Sequence, residues 1–304
     1  MKTSIYVLAR NESANIIACL APLVDLFDDI VIVDDASTDG MAEMVEQRLR
    51  IRPVPVNSRD FPCMGAIRNL AVSHTRHPWV LKLDADERLS RAHAQQLLAM
   101  PEPPDCAGFF CAWRTFANGA VIDDYKLPLA RRDCIETGLA HENLQQDMRR
   151  RGLQARWLPQ MELLHYPDVA LNAQKTSTRR ARLLAALQRE PAWYRHHWFL
   201  GYMDYLEGDY AAARRHFTIV IDAQPRDFPV ECLNSYMAMA DIEARGGAAH
   251  AVVALLDAAL RFHTLVREDF EVRVNFRIRE WLDQSLQDAA AGNLAAVRAY
   301  LFAR

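Results

Sequence analysis

No stretch of this 304-residue chain runs to 18 uncharged apolar residues, and the short apolar run at its start is ended by Arg10, Asn11 and Glu12. A signal h-region or a membrane span needs more than that. Six cysteines are present (Cys19, Cys63, Cys106, Cys111, Cys134 and Cys232), without one C-x-x-C pair among them. Zinc ribbons and disulfide frameworks need closer, repeated spacing, so buried free thiols in a cytosolic protein are expected. Charge of one sign is missing too: 36 Lys and Arg stand against 39 Asp and Glu, a net charge of −3. Up to residue 170 there are 19 basic and 23 acidic residues, and after it 17 and 16. Neither part has the basic excess that duplex binding leaves, so no nucleic-acid partner is expected. With 11 Gly and 14 Pro, long disordered or collagen-like stretches are disfavoured as well. A G-x-G-x-x-G turn, a GxxxxGK[ST] loop and a G-x-S-x-G elbow are all absent. Leu8-Ala9-Arg10-Asn11-Glu12 stands where the first of these belongs.

What is there alternates. Residues 4–8, 29–33, 79–83 and 108–113 are apolar and rich in Val, Ile and aromatics, as strands are. Between them, residues 14–26, 41–49 and 65–74 carry apolar side chains at helical spacing. Alternation of this kind predicts an α/β layer with a mostly parallel sheet. Strand signals stop near residue 170, and an Ala-, Leu- and Arg-rich helical pattern follows. Pro167 and Asn172 punctuate the change, which divides the chain into 1–170 and 171–304.

The second part looks repetitive. His197-x2-Leu200-Gly201, Gly208-Asp209-Tyr210, Ala213-x3-Phe217 and Pro225 follow much of the tetratricopeptide template, with His197 in place of Trp and Asp204 in place of Tyr. A shift of 38 maps Gly208 to Gly246, Ala213 to Ala251 and Phe217 to Leu255, and Gly292-Asn293-Leu294 opens a third, degenerate unit. Tetratricopeptide-like helical hairpins are the expectation, with an ordinary helical bundle as the alternative. His196 and His197 fall inside this repeat and read as packing residues.

The chemistry gathers at strand ends. Residues 29–33 run into Asp34-Asp35-Ala36-Ser37-Thr38-Asp39-Gly40, and residues 79–83 into Asp84-Ala85-Asp86-Glu87. Ligands of open α/β sheets bind beyond the carboxyl ends of strands, so both clusters are expected to share one crevice. Asp84 and Asp86 at i and i+2 offer hard oxygen ligands that suit Mg2+ or Mn2+ bridging a diphosphate. For Asp34 to Gly40 alone the plain alternative is a helix cap, since Ser37, Thr38 and Asp39 all cap well.

Taken together, Ala9-Arg10-Asn11-Glu12, Val33 to Gly40, Arg68-Asn69 and Leu83-Asp84-Ala85-Asp86-Glu87 resemble family-2 inverting glycosyltransferases of the GT-A fold. The stretch from Trp79 to Ser90 looks most like bacterial members that extend lipopolysaccharide core or glycosylate peptides. The resemblance covers roughly residues 3–180. It implies that Ala9 and Arg10 line a nucleoside pocket, with Glu12 near the ribose or base and Asp34 beside them. It implies further that Asp35 accepts the uracil N3–H, that Arg68 reaches the diphosphate, and that Asp84 contacts ribose or donor sugar. Asp86 binds the metal on this reading, and His165, at the end of a strand-like segment, completes the site. Glu142 in Gly138-Leu139-Ala140-His141-Glu142 is the implied base, with Asp147 in reserve on the same expected helix.

A basic stretch, Arg149 to Arg151 with Arg156, Lys175, Arg179, Arg180 and Arg182, is expected around the domain junction, where it either neutralises an anionic ligand or forms a solvated face. Lys175 and Arg179 are spaced i, i+4 on one helix face. The chain therefore reads as a hexosyl-type transferase that uses Mn2+ or Mg2+ and a UDP-sugar, with a glycan or peptide acceptor. Peripheral membrane contact at most, a cytoplasmic location reaching to the inner face of the membrane, and a homodimer through the helical part complete the expectation. A nucleotidyltransferase on a related fold and a non-catalytic repeat scaffold are the alternatives.

Overall fold

The computed structural model describes residues 1–297, apart from the side chains of residues 169–177. It divides into two compact units, Met1–Ala173 and Gln174–Arg304.

The first unit is built on one eight-stranded sheet. In chain order its elements are β1 (Thr3–Ala9), α1 (Ile16–Leu20), β2 (Ile30–Asp35), α2 (Met41–Leu49), β3 (Val54–Val56), α3 (Met64–Ser73), β4 (Trp79–Leu83), β5 (Glu87–Leu89), α4 (Arg91–Ala99), β6 (Gly108–Ala117), β7 (Ala120–Arg131), α5 (Gln145–Arg150) and β8 (Ala155–His165). The strand order is β3-β2-β1-β4-β7-β6-β8-β5. β1, β2, β3 and β4 pair in parallel, whereas β7 joins β4 and β6 antiparallel. β8 pairs in parallel with β6 and antiparallel with β5. The sheet is therefore mixed: its parallel half carries the expected alternation, and its far half is antiparallel at three of four junctions.

β1 is buried on both faces, as a central strand must be. Ile5, Val7 and Ala9 point into one core with Ile16, Leu20, Ile32, Leu81 and Leu97. Tyr6 packs on the other side with Val31, Val33, Val80, Ile67 and Ala71. The helix expected over 14–26 is confined to α1, followed by turns to Leu26. Pro22 has no N–H to continue the helical ladder, and the apolar side chains Leu20, Leu23 and Phe27 are buried without it.

The second unit is helical throughout its described part. α6 (Val169–Arg189) is followed by α7 (Tyr194–Glu207), α8 (Tyr210–Ala223), α9 (Pro229–Arg245), α10 (Ala249–Val266), α11 (Phe270–Val274) and α12 (Arg277–Ala290). The change of period near Pro167 is real, but Asn172 ends nothing: α6 runs through it, and the division between units falls inside that helix. α7 and α8 pack so closely that a Cβ on Gly201 would stand 2.9 Å from the Phe217 ring. Gly208, at φ 82°, makes the turn, and the Asp209 carboxylate caps α8 by accepting the Ala212 N–H.

The next hairpin repeats this geometry with a shift of 39, not 38. Gly247 (φ 76°) takes the place of Gly208, and Val252 and Leu256 are buried where Ala213 and Phe217 are. The extra residue is Gly246, which ends α9 in an ordinary right-handed conformation before the turn begins. Gly292, at φ 79°, closes α12 in the same way.

Among the described residues one helix, α10, is long and apolar enough by length and composition to cross a membrane. It carries Asp257 paired with Arg261, and Val252, Leu256, Ala259, Phe262 and Val266 lie in the unit's core. His196 bonds Glu190 and His197 bonds His216, so both histidines are packing residues.

Candidate active site

In the parallel half, register places Ala9 of β1 beside Asp34 of β2, and Val7 beside Leu83 of β4. All three strands therefore release their loops at one edge, with β1 between the two acidic clusters. This is where strand order reverses, the usual ligand crevice of such sheets.

The first cluster is a loop held by backbone N–H donors. Asp34 accepts the Ser37 N–H at 3.1 Å, closing a turn in which Ala36 takes φ 51°. Asp39 accepts N–H groups from Ser13 and Met41, and Gly40 (φ 76°) starts α2. Burial opposes ionisation of Asp39, but these donors hold its carboxyl below the usual range. Asn11 ties the loop after β1 to the same turn: its N–H reaches Ser37 Oγ, and its Oδ1 accepts the Thr38 N–H at 2.8 Å. The cap reading is thus correct in part, because Asp39 works as a cap while Ser37 and Thr38 hold the neighbouring loop. Asp35 is buried, accepts the Ser58 N–H at 2.6 Å, and lies 3.8 Å from Arg10, whose side chain is exposed. Ala9 is buried behind them, and Glu12 accepts from the Asn15 amide at the start of α1.

The second cluster is held by side chains from remote strands. Lys126 of β7 places its Nζ 2.7 Å from Asp84 Oδ2 and 2.6 Å from Glu87 Oε1. Glu87 is wholly buried and also accepts the Trp113 indole N–H (2.7 Å) and the Asp84 backbone N–H (2.9 Å). Burial opposes ionisation of Asp84, yet Lys126, then Lys82 and Arg68, hold its carboxyl well below the usual range. Burial pushes the Glu87 carboxyl up, Asp84 adds to that, and Lys126 works against it. Burial alone would lower the Lys126 ammonium, but Asp84 and Glu87 raise it well above its ordinary value. Of these groups Asp84 and Arg68 stand out in the sequence, with Glu87 in the same acidic cluster, while Lys82, Trp113 and Lys126 do not. Lys82 is a single cation in an otherwise apolar strand run, a local signal that could have singled it out, whereas Lys126 shares its strand with Asp123, Asp124 and Arg131.

Asp86 and His165, 79 positions apart, meet here. β5 pairs with β8 so that Glu87 is opposite His165, and Tyr166 N–H donates to the Asp86 carbonyl. His165 Nε2 lies 3.3 Å from Asp86 Oδ2, and Nδ1 lies 3.0 Å from Thr115 Oγ1. The Trp113 ring stacks on the imidazole at 4.6 Å between centroids. A Nδ1–H donated to Thr115 leaves the Nε2 lone pair facing Asp86, the tautomer a cation ligand needs. Among the described residues no group of three or more His, Cys, Asp and Glu side chains comes together as a metal nest.

Arg68 of α3 lies 3.6 Å from Glu142, whose Oε1 accepts the Met64 N–H at the start of the same helix (2.9 Å). Gly65 makes that approach possible, since a Cβ there would stand 3.1 Å from Glu142 Cγ. Burial opposes the Arg68 charge, while Glu136, Tyr6, Asp84 and Glu142 hold its guanidinium above the ordinary value. Asn69 fixes the adjoining segment by bonding both the N–H and the carbonyl of Glu136.

One expectation fails at this point. Glu142 and Asp147 do not share a helix: α5 begins at Gln145, after Asn143 caps it by accepting the Gln146 N–H. Asp147 is buried in a separate knot, accepting from the Ile135 N–H and from Arg151, which also holds Asp133. Part of the basic stretch is ion-paired within its own unit. Arg156 pairs with Asp105, and Arg180 with Asp204 and Glu207, since acids of the same unit lie within reach. The side chain of Lys175 lies outside the described residues.

A mixed sheet whose parallel half ends in acidic loops, followed by helices, is the architecture of GT-A glycosyltransferases. The first 349 residues of S. aureus TarS, solved with UDP-GlcNAc, share it at a TM-score of 0.50 and 14% identity, over 97% of this chain and 89% of that one. Residues 4–143 match the model of Glycosyl transferase family 2. The lipopolysaccharide core biosynthesis glycosyltransferase LpsC of Rhizobium meliloti is 30% identical over 120 residues, 39% of this chain and 43% of that protein. An uncharacterised glycosyltransferase of Rickettsia felis is 29% identical over 92 residues, 30% of each chain. The matches thus span less than half the length of these relatives. The resemblance seen in the four motifs and the GT-A architecture agree with these matches.

Proposed function

We propose that the chain is an inverting, metal-assisted glycosyltransferase that moves a hexosyl group from a UDP-sugar to a glycan of the lipopolysaccharide type or to a peptide. The observation that carries this reading is the Asp86–His165 pair at 3.3 Å, set beside Asp84 at the end of β4. A carboxylate and an imidazole with its second nitrogen already engaged fit Mn2+ or Mg2+, whose remaining positions the diphosphate oxygens would fill. Such an ion supplies positive charge toward a departing UDP.

The chain's own groups divide the remaining work. Asp35, buried and next to Arg10, takes the uracil N–H, with Ala9, Asp34 and Glu12 shaping the nucleoside pocket. Arg68 adds a guanidinium toward the diphosphate, and Asp84 holds ribose or donor sugar. Glu142 is the base. Its Oε1 is fixed by the Met64 N–H, so that Oε2 has a set position from which to take a proton. In the transfer the acceptor heteroatom bonds to the anomeric carbon as the bond from that carbon to the UDP oxygen breaks on the opposite face. The acceptor proton passes to Glu142. Asp147, committed to Arg151 and Ile135, is the weaker candidate.

The domains proposed are 1–170 for transfer and 171–304 as tetratricopeptide-like hairpins, the latter supported by the close packing at Gly201 and the repeated turns at Gly208 and Gly247. A homodimer through the helices is part of the proposal, and sedimentation of the purified chain tests it. The six free cysteines support a reducing compartment, the cytoplasm or the inner face of its membrane.

The deciding experiment is a donor screen by UDP release, with Mn2+, Mg2+ or EDTA. UDP release that needs a divalent ion and is lost in Asp86→Ala supports the reading. Activity retained in that variant removes the metal assignment, pyrophosphate as product points to nucleotidyl transfer, and absence of nucleotide binding points to a scaffold.

A further inference from the structure

We propose that Lys126 keeps Asp84 out of the divalent-cation site, so that cation binding depends on the nucleotide's own negative charge. The inference rests on the reading of Asp86 and His165 as the cation pair. Its central residue, Lys126, lies outside the four sequence motifs.

Three acidic side chains, Asp84, Asp86 and Glu87, lie within four residues of chain. Together they would make a strong cation nest, because affinity for hard divalent ions rises with the number of ligand charges. The structure separates them. Glu87 is saturated: Oε1 receives both Lys126 Nζ and the Trp113 indole N–H, and Oε2 receives the Asp84 N–H. Asp84 Oδ2 is occupied by the same ammonium at 2.7 Å. Among the described residues Asp86 pairs with His165. One ammonium therefore withdraws two of three carboxylates from an ion and places a positive charge beside the third.

Lys126 is well held in that position. It lies in β7 opposite Cys111 of β6, and its Nζ is 5.9 Å from the centre of the Trp113 ring that also stacks on His165. With two protein ligands and a neighbouring cation, the site offers little to a free ion. A diphosphate brings oxygen ligands and negative charge together, so nucleotide and ion bind as a pair.

The test is Mn2+ binding to the full chain without nucleotide, read from the electron paramagnetic resonance signal of free Mn2+. The informative variant is Lys126→Met combined with Glu87→Gln, which removes the ammonium and the buried carboxylate it neutralises while freeing Asp84. We expect Mn2+ affinity to rise about tenfold over wild type. Adding Asp84→Asn should abolish the gain, and Lys126→Arg, which keeps the charge, should bind as wild type does. Circular dichroism confirms that each variant is folded, and the Arg variant decides the matter should the Met variant not fold: tightened binding there overturns the proposal. It is also overturned by unchanged affinity in the folded double variant, or by a gain that survives Asp84→Asn. Failure of the underlying reading looks different: Asp86→Asn in the wild-type background then leaves Mn2+ binding in the presence of UDP untouched.

Discussion

The two acidic strand ends of the first unit have similar composition and opposite construction. After β2, Asp34 and Asp39 are bound by the N–H groups of Ser37, Ser13 and Met41, most within a few residues. After β4, Asp84, Asp86 and Glu87 are bound by Lys126, Trp113 and His165, which lie 26 to 79 positions away in sequence. The first arrangement is a shaped loop whose carboxylates serve the backbone. The second is a charge network whose geometry exists only when five strands, β4 to β8, are assembled. An acid-rich strand end in a sequence can be either, and what distinguishes them is the source of the donors.

That contrast can be broken or sharpened experimentally. The largest effect is expected from Asp86→Ala, with loss of divalent-dependent UDP release by about 100-fold or more, the scale on which charge-stabilising groups act. His165→Ala should reduce it less, since the carboxylate remains.

Next comes Lys126→Met alone. It leaves buried Glu87 without its cation and should cost about 3 to 5 kcal/mol in urea unfolding. Adding Glu87→Gln should recover part of that loss. No recovery would mean that Lys126 acts through packing and not through charge.

A smaller effect is expected in the first loop. Asp39→Ala should cost about 1 kcal/mol at neutral pH, as lost helix caps do. Its pH dependence has a definite sign. A carboxyl held below its ordinary range stabilises the fold above that range, and the contribution is lost as pH falls through the folded value. The difference between variant and wild type should therefore shrink on acidification.

The smallest perturbation is chemical labelling. Burial pushes the thiols of Cys19, Cys111 and Cys232 up to about 12 and that of Cys134 to about 11, and it raises Cys106 as well. Cys63, the one cysteine not fully buried, should react first with a thiol reagent while the others stay silent. Fast labelling of Cys19, whose thiol donates to the Asp84 carbonyl, would show that the second strand end opens in solution.

Much of the fold was legible because its signals are local. β4 spans Trp79–Leu83 and α2 spans Met41–Leu49 as their periodicity predicts. The helix expected over 14–26 stops at Leu20, ahead of Pro22, and the apolar side chains Leu23 and Phe27 beyond it are buried by turns instead. β7 went unnamed, and β8 was read only at its end as a strand-like segment before His165, because half their residues are polar or exposed. In the helical unit the repeat was visible but its spacing was one residue short, since two adjacent glycines could each have made the turn and only φ tells them apart.

The site divides in the same way. Residue order alone places Asp34, Asp35, Asp84 and Asp86 at the carboxyl ends of β2 and β4, because apolar runs followed by acids can only be strands entering polar loops. Which carboxylate remains open to a ligand is a different matter. Lys126 against Asp84, His165 against Asp86 and Arg68 against Glu142 are pairings across 42 to 79 residues. Burial and charge neutralisation choose them only once the sheet has brought those side chains together.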